Sequence, residues 1–169
     1  MFEPEVLIID IDGVLTSGNF FYSENGKVMK AFGADDADAL SLIKDFVPIS
    51  FVSGDKRGFN ISKKRIEDMG FELNFVSTIK RIQWIKDKFD SSKVIYIGDG
   101  IFDFLVMNEV GYSICPKDSD EITQKYANYI TAKRGGDRAV SEAIKHIFKV
   151  FFKKISIEEI IKKKSENND

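Results

Sequence analysis

The sequence predicts an α/β fold: a doubly wound, mostly parallel sheet with a small β-hairpin inserted after its first strand. Three observations carry this. Short apolar runs, EVLIID (5–10) and KVIYI (93–97) among them, are continuous rather than alternating, as strands buried on both faces require. They recur between stretches of helical periodicity, the pattern of βαβ units. The 169 residues, 43% hydrophobic and 31% charged, match one globular domain with a core of its own.

The elements follow in order. Glu5–Asp10 is a buried strand ending in acid. Asn19–Tyr22 and Lys27–Phe32 flank the turn Ser23–Gly26, so they form a hairpin within 18–32. Asp35–Phe46 has apolar residues at helical spacing. Val47–Val52 is a strand with Pro48 near its start, where proline is tolerated. Arg57–Met69 is a helix that stops at Gly70. Leu73–Val76 is a strand, after which Ser77 or Thr78 caps a helix running to Phe89. Strand Lys93–Ile97, helix Phe102–Asn108, strand Gly111–Cys115, helix Ser119–Tyr126, strand Tyr129–Thr131 and helix Asp137–Phe152 complete a domain over 1–154. The lysine-rich tail 155–169 reads as a solvated face, with a helical turn at its start and a frayed end.

Composition removes several classes. One cysteine, Cys115, excludes an internal disulfide and a cysteine metal cluster, and one histidine, His146, excludes a multi-histidine site. Lys+Arg 25 against Asp+Glu 27 gives −2, so no nucleic-acid partner is expected. No apolar run has the roughly 18 residues of a membrane span. MFEPEVLIID lacks the basic start of a secretory signal. The expected setting is reducing and cytoplasmic. Catalysis would then fall to Asp, Glu, Ser, Lys and Arg, with a hard cation such as Mg²⁺ held by oxygen.

In a parallel α/β sheet, ligands sit beyond the carboxyl ends of the strands. The first strand runs into Asp10-Ile11-Asp12-Gly13, the second into Ser53-Gly54-Asp55, the third into Ser77, Thr78, Lys80 and Arg81, the fourth into Asp99-Gly100-Ile101-Phe102-Asp103. Carboxylates, a hydroxyl and a cation thus converge on one edge. Two like charges ~4 Å apart at an effective dielectric constant of ~20 repel by roughly 4 kcal/mol, which Mg²⁺ would reverse. One carboxylate can then act as nucleophile and its neighbour as general acid/base. Asp10 and Asp12, two apart on a strand end, have that spacing.

DIDGVLT, SG, a Lys/Arg at a helix start, and GDGIFD, in this order, resemble the four motifs of the haloacid dehalogenase phosphatase superfamily. LTSGNFFYSENGKVMKAF and ITAKRGGDRAVSEAI are similar to the hairpin and the GG-containing segment of its capless branch, the octulosonate 8-phosphate and nonulosonate 9-phosphate phosphatases. The likeness spans about residues 5–150. It implies Asp10 as the nucleophile that becomes an aspartyl-phosphate, and Asp12 as acid and then base. It implies Mg²⁺ on Asp10, the Asp12 carbonyl and Asp99, with Ser53 and Gly54 on the phosphoryl oxygens. Asp103 would orient the cation or the metal waters. Register favours Arg81 over Lys80 as the phosphate-binding cation; the two lie about 100° apart on a helix. Lys56, Arg57 and Arg134 would line the substrate rim. The family's assembly implies a homotetramer in which the hairpin meets a neighbour's active site, and Phe20, Phe21 and Tyr22 on that hairpin suit a subunit contact.

The chain departs from the branch's usual pattern at Asp35, Asp55 and Asp137, acidic where basic residues are usual, and reads GDG where GDD is usual. These changes spare the catalytic set and bear on the substrate. The expectation is a Mg²⁺-dependent phosphatase acting on a sugar or sugar-acid phosphate. The alternative is a non-catalytic oligomerisation domain associated with sugar-acid activation. A receiver domain, which also uses clustered Asp and Mg²⁺, is a third reading that Asp12 and the hairpin disfavour.

Overall fold

The computed structural model describes residues 2–166. Strand β1 (Val6–Asp10) leads into a hairpin, β2 (Phe21–Ser23) and β3 (Gly26–Met29). Then follow α1 (Ala34–Ile43), β4 (Ile49–Ser53), α2 (Phe59–Asp68), β5 (Leu73–Phe75), α3 (Arg81–Lys88) and β6 (Val94–Ile97). The rest is α4 (Phe104–Met107), β7 (Tyr112–Cys115), α5 (Glu121–Tyr126), β8 (Tyr129–Ile130), α6 (Ala139–Phe151) and α7 (Ile157–Glu166).

The main sheet runs β5-β4-β1-β6-β7-β8 with every neighbouring pair parallel, and β2-β3 form a separate antiparallel pair. The chain winds outward from β1 to β5, returns to β6 beside β1, and winds outward the other way. The winding reverses between β1 and β6, which opens a crevice at the carboxyl end of β1.

Alternation along β1 explains the double winding. Leu7 and Ile9 face a core layer with Leu40 and Ile43 of α1 and Ile144, Ile147 and Phe148 of α6. Val6 and Ile8 face the other layer, with Ile85 of α3 and Val106 of α4. A strand buried on both faces has no polar side to show, hence the continuous apolar run. His146 and Cys115 are structural: His146 stacks on Tyr129 at 3.6 Å and meets the Tyr112 hydroxyl at 2.8 Å, and Cys115 is buried as a free thiol.

Element ends shift by one to a few residues from the sequence reading, and two differences matter for the structure. Helix α3 starts at Arg81 rather than at Ser77 or Thr78, because the chain first makes tight turns, with Lys80 N–H donating to Ser77 O and Arg81 N–H to Thr78 O. The tail forms a full helix, α7, instead of a turn. Ile155, Ile157 and Ile160 pack against the α1–α6 layer, and Lys164 Nζ bonds Ser41 O at 2.6 Å and pairs with Asp45 at 3.2 Å. The end expected to fray, 167–169, lies outside the described residues. No helix among those described is long and apolar enough to cross a membrane.

Candidate active site

Asp10 ends β1 at the crevice. The chain then curls tightly: the amides of Val14, Leu15 and Thr16 all donate to Ile11 O, and Gly13 takes φ +89°. A Cβ at Gly13 would stand 1.9 Å from Asp99 Oδ2, so only glycine lets the two strand ends meet here. Gly135 and Gly136 close the loop from the far side. Gly136 N–H donates to Val14 O at 3.0 Å, and a Cβ on Gly135 would stand 1.8 Å from Gly13 O.

Arg81, the first residue of α3, is fully buried and organises the floor. Its Nη2 donates to Asp10 Oδ1 at 3.3 Å, and its Nη1 lies 3.0 Å from Asp10 Oδ2 and 3.0 Å from Asp103 Oδ1. Nη1 also donates to the Tyr96 hydroxyl at 2.6 Å, which itself donates to Asp103 Oδ1 at 2.6 Å. Burial disfavours the guanidinium's charge, but Asp10, Tyr96 and Asp103 outweigh it and hold its pKa above the usual value. Lys80 is exposed and caps α3.

Asp103 accepts from four donors: Arg81 and Tyr96 on Oδ1, and the Asp99 and Gly100 amides on Oδ2 at 2.9 Å each. It holds the loop that carries Asp99. Asp10, Asp99 and Asp103 each offer a carboxylate oxygen, all within 4.8 Å of one another, the one such cluster of acids among the described residues. Burial pushes Asp99 up to about 8, with Asp10, Asp103 and Asp12 adding repulsion. Burial also raises Asp10, to about 6, against the pull of Arg81. Hard oxygen donors crowded without enough positive charge are suited to a divalent cation. Asp99 and Asp10 have oxygen capacity to spare; Asp103 is occupied.

The structure gathers Asp10, Asp12, Gly54, Arg81, Asp99 and Asp103 around a cavity of about 330 Å³. Ser53 is buried behind it, its hydroxyl donating to Asp12 Oδ2 at 3.3 Å and accepting from Asp55 N–H at 3.2 Å. Lys56, Arg57 and Arg134 are exposed and do not line the cavity. Of what does, the sequence reading placed Asp55, Thr78 and Phe102 at strand ends and missed Lys27 and the place of Phe20. Lys27 and Asp55 line the wall as an ion pair at 2.6 Å, with Phe20 under Lys27 at 3.3 Å from the ring centre, and Thr78 and Phe102 complete it. Behind them Lys30 pairs with Asp12 at 2.6 Å and Asp55 at 2.8 Å. The two lysines flanking the apolar pair in Lys27-Val28-Met29-Lys30 were the available signal.

No protein-family model matches the chain. It is 28% identical over 144 residues to the 3-deoxy-D-manno-octulosonate 8-phosphate phosphatase of Escherichia coli K12, covering 81% of this chain and 75% of that enzyme. The Moraxella catarrhalis phosphatase of the same name, solved with magnesium, phosphate and KDO, superposes with TM-score 0.76 at 26% identity, covering 86% of each chain. The chain is a phosphatase that resembles those of the haloacid dehalogenase superfamily. A superfamily hydrolase of Legionella pneumophila, 23% identical, has the same fold at TM-score 0.82, over 95% of this chain and 89% of that one. The phosphatase shares its overall fold with this group.

Proposed function

We propose that this phosphatase is a Mg²⁺-dependent phosphomonoesterase that hydrolyses a sugar or sugar-acid phosphate through an aspartyl-phosphate on Asp10. The observation that carries the reading is the floor of the cavity: a buried carboxylate held in place by a buried guanidinium, with Asp99 beside it. Asp10 attacks phosphorus, the ester P–O bond breaks, and Asp12 gives its proton to the leaving sugar oxygen. Water then attacks the phosphorus, Asp12 takes its proton, and inorganic phosphate leaves. Arg81 offsets charge on Asp10 and on the transferring group. Ser53 and the Gly54 amide hold phosphoryl oxygens. Asp10, Asp99 and the Asp12 carbonyl would hold Mg²⁺, which when bound supplies neutralisation of the phosphoryl charge.

The relatives act, by their names, on octulosonate 8-phosphate, which supports a sugar-acid phosphate. Asp55, which lines the cavity where a basic residue is usual, supports a substrate other than that one. A homotetramer built through the hairpin and a cytoplasmic setting belong to the same reading. The test is phosphate release from octulosonate, nonulosonate, heptose and hexose phosphates, with Mg²⁺, with EDTA, and with Asp10→Asn. Mg²⁺-dependent turnover abolished by Asp10→Asn is expected, fastest on a member other than octulosonate 8-phosphate. Turnover that survives Asp10→Asn would overturn the mechanism; octulosonate 8-phosphate as the fastest would overturn the substrate.

A further inference from the structure

Lys30 follows β3 at the base of the hairpin, and its ammonium turns inward until its side chain is 0% exposed. It lies 2.6 Å from Asp12 Oδ1 and 2.8 Å from Asp55 Oδ2, and donates to Ser62 Oγ at 2.9 Å. The Phe20 ring lies 5.2 Å away. A buried lysine is costly to desolvate, and a well-packed apolar side chain stabilises a fold as well or better. Packing therefore gives no reason for an ammonium here; Asp12 does. The other oxygen of Asp12 accepts from Ser53 Oγ at 3.3 Å. The carboxylate is thus gripped from two sides, by the end of β4 and by the hairpin. Asp55 in turn fixes Lys30: it pairs with Lys27 at 2.6 Å and accepts from the Gly58 amide at 3.1 Å.

We propose that Lys30 is a positioning residue for Asp12, so that the hairpin sets the orientation of the general acid/base. The proposal rests on the mechanism given above. Proton donation is effective only when the acid points at the leaving oxygen, and small misplacements cost up to about 100-fold. Lys30 makes that direction depend on a segment outside the main sheet.

The chemistry supplies a test that a merely structural role would not pass. A sugar alkoxide needs a proton as it leaves; p-nitrophenolate does not. The constant kcat/KM reports the steps through formation of the phospho-enzyme, so it isolates the donation. In Lys30→Met, kcat/KM on the fastest sugar phosphate of the panel should fall at least about tenfold more than on p-nitrophenyl phosphate. Asp12→Asn should show the same bias, and Lys30→Met added to Asp12→Asn should cost little more. Equal losses on both substrates, or full additivity with Asp12→Asn, would overturn the proposal. Lys30→Met leaves Asp12 without its ammonium and facing Asp55, which keeps Lys27. If it does not fold, Lys30→Met with Asp55→Asn removes one of the two charges and is read by the same ratio. Turnover that is independent of Asp10 in the starting enzyme would instead sink the mechanism, a result the substrate ratio cannot mimic.

Discussion

Asp99 shows what this site costs the fold. Its carboxyl is held near 8 by burial and by the neighbouring acids, against 3.8 ordinarily. A folded-state pKa above the unfolded one gives stability that is complete below about 4 and lost as pH rises through about 8. Metal-free protein should therefore lose melting temperature across that window, and Mg²⁺ should restore it. Asp99→Asn should melt higher than the wild type in EDTA at pH 8, by about 2–4 °C for each kcal/mol relieved. It should also lose the Mg²⁺-induced rise and nearly all turnover. Melting curves with and without Mg²⁺ from pH 5 to 9 check all three. A variant that still gained from Mg²⁺ would show the ion bound elsewhere. Asp10, Asp12 and Asp99 were legible in the sequence because each follows a strand whose apolar run is unmistakable. Lys27 and Lys30 were not, and Asp55 was legible only as a strand-end acid. A lysine in a hairpin reads as solvated, and the triad joins segments some 25 residues apart, so only the fold brings it together.

Among the elements, the hairpin is tied to the sheet chiefly by charge. Burial would raise the pKa of Asp55, but hydrogen bonds from Lys27, Lys30 and the Gly58 amide outweigh it and hold the carboxyl near 2. This depressed value contributes stability above about 4 that disappears as pH falls through about 2. The advantage of the wild type over Asp55→Asn in urea midpoint should hold at pH 5–7 and shrink between pH 4 and 2; a constant gap would deny the ionic tie. The outer face of the hairpin is apolar, with Phe21 53% and Tyr22 56% exposed. Phe21→Ser with Tyr22→Ser should lower the mass measured by light scattering from that of the proposed tetramer toward smaller species, with an unchanged circular dichroism spectrum. An unchanged mass would remove the hairpin from the interface. Helix α3 was misread at its start because Thr78 looks like a cap, yet its hydroxyl is not used as one. The true start puts Arg81, not Thr78, in the first turn, where its charge faces acids rather than solvent.

At the scale of the molecule, the parallel sheet and its double winding were legible because buried parallel strands leave little room for another pattern. The role of the tail was not. Its isoleucines recur among six charged residues in α7, so the charges dominated the reading while the packing decides the structure. Truncation after Ser156 should cost roughly 2–3 kcal/mol from the partly buried Ile157 and Ile160, read as a lower melting temperature. Turnover per folded molecule should be retained, since α7 touches no part of the cavity; loss of turnover in folded truncated protein would assign the tail a part in catalysis. The Gly135–Gly136 contact reaches further, since the nucleophile's loop gains a backbone partner from a segment more than a hundred residues downstream. On the ribosome, a nascent chain that has emerged only through α5 has its carboxylates but not the strap across their loop. Hydrolytic competence would therefore arrive late in synthesis, when the two glycines clear the exit tunnel, and fragments released earlier would be poor catalysts.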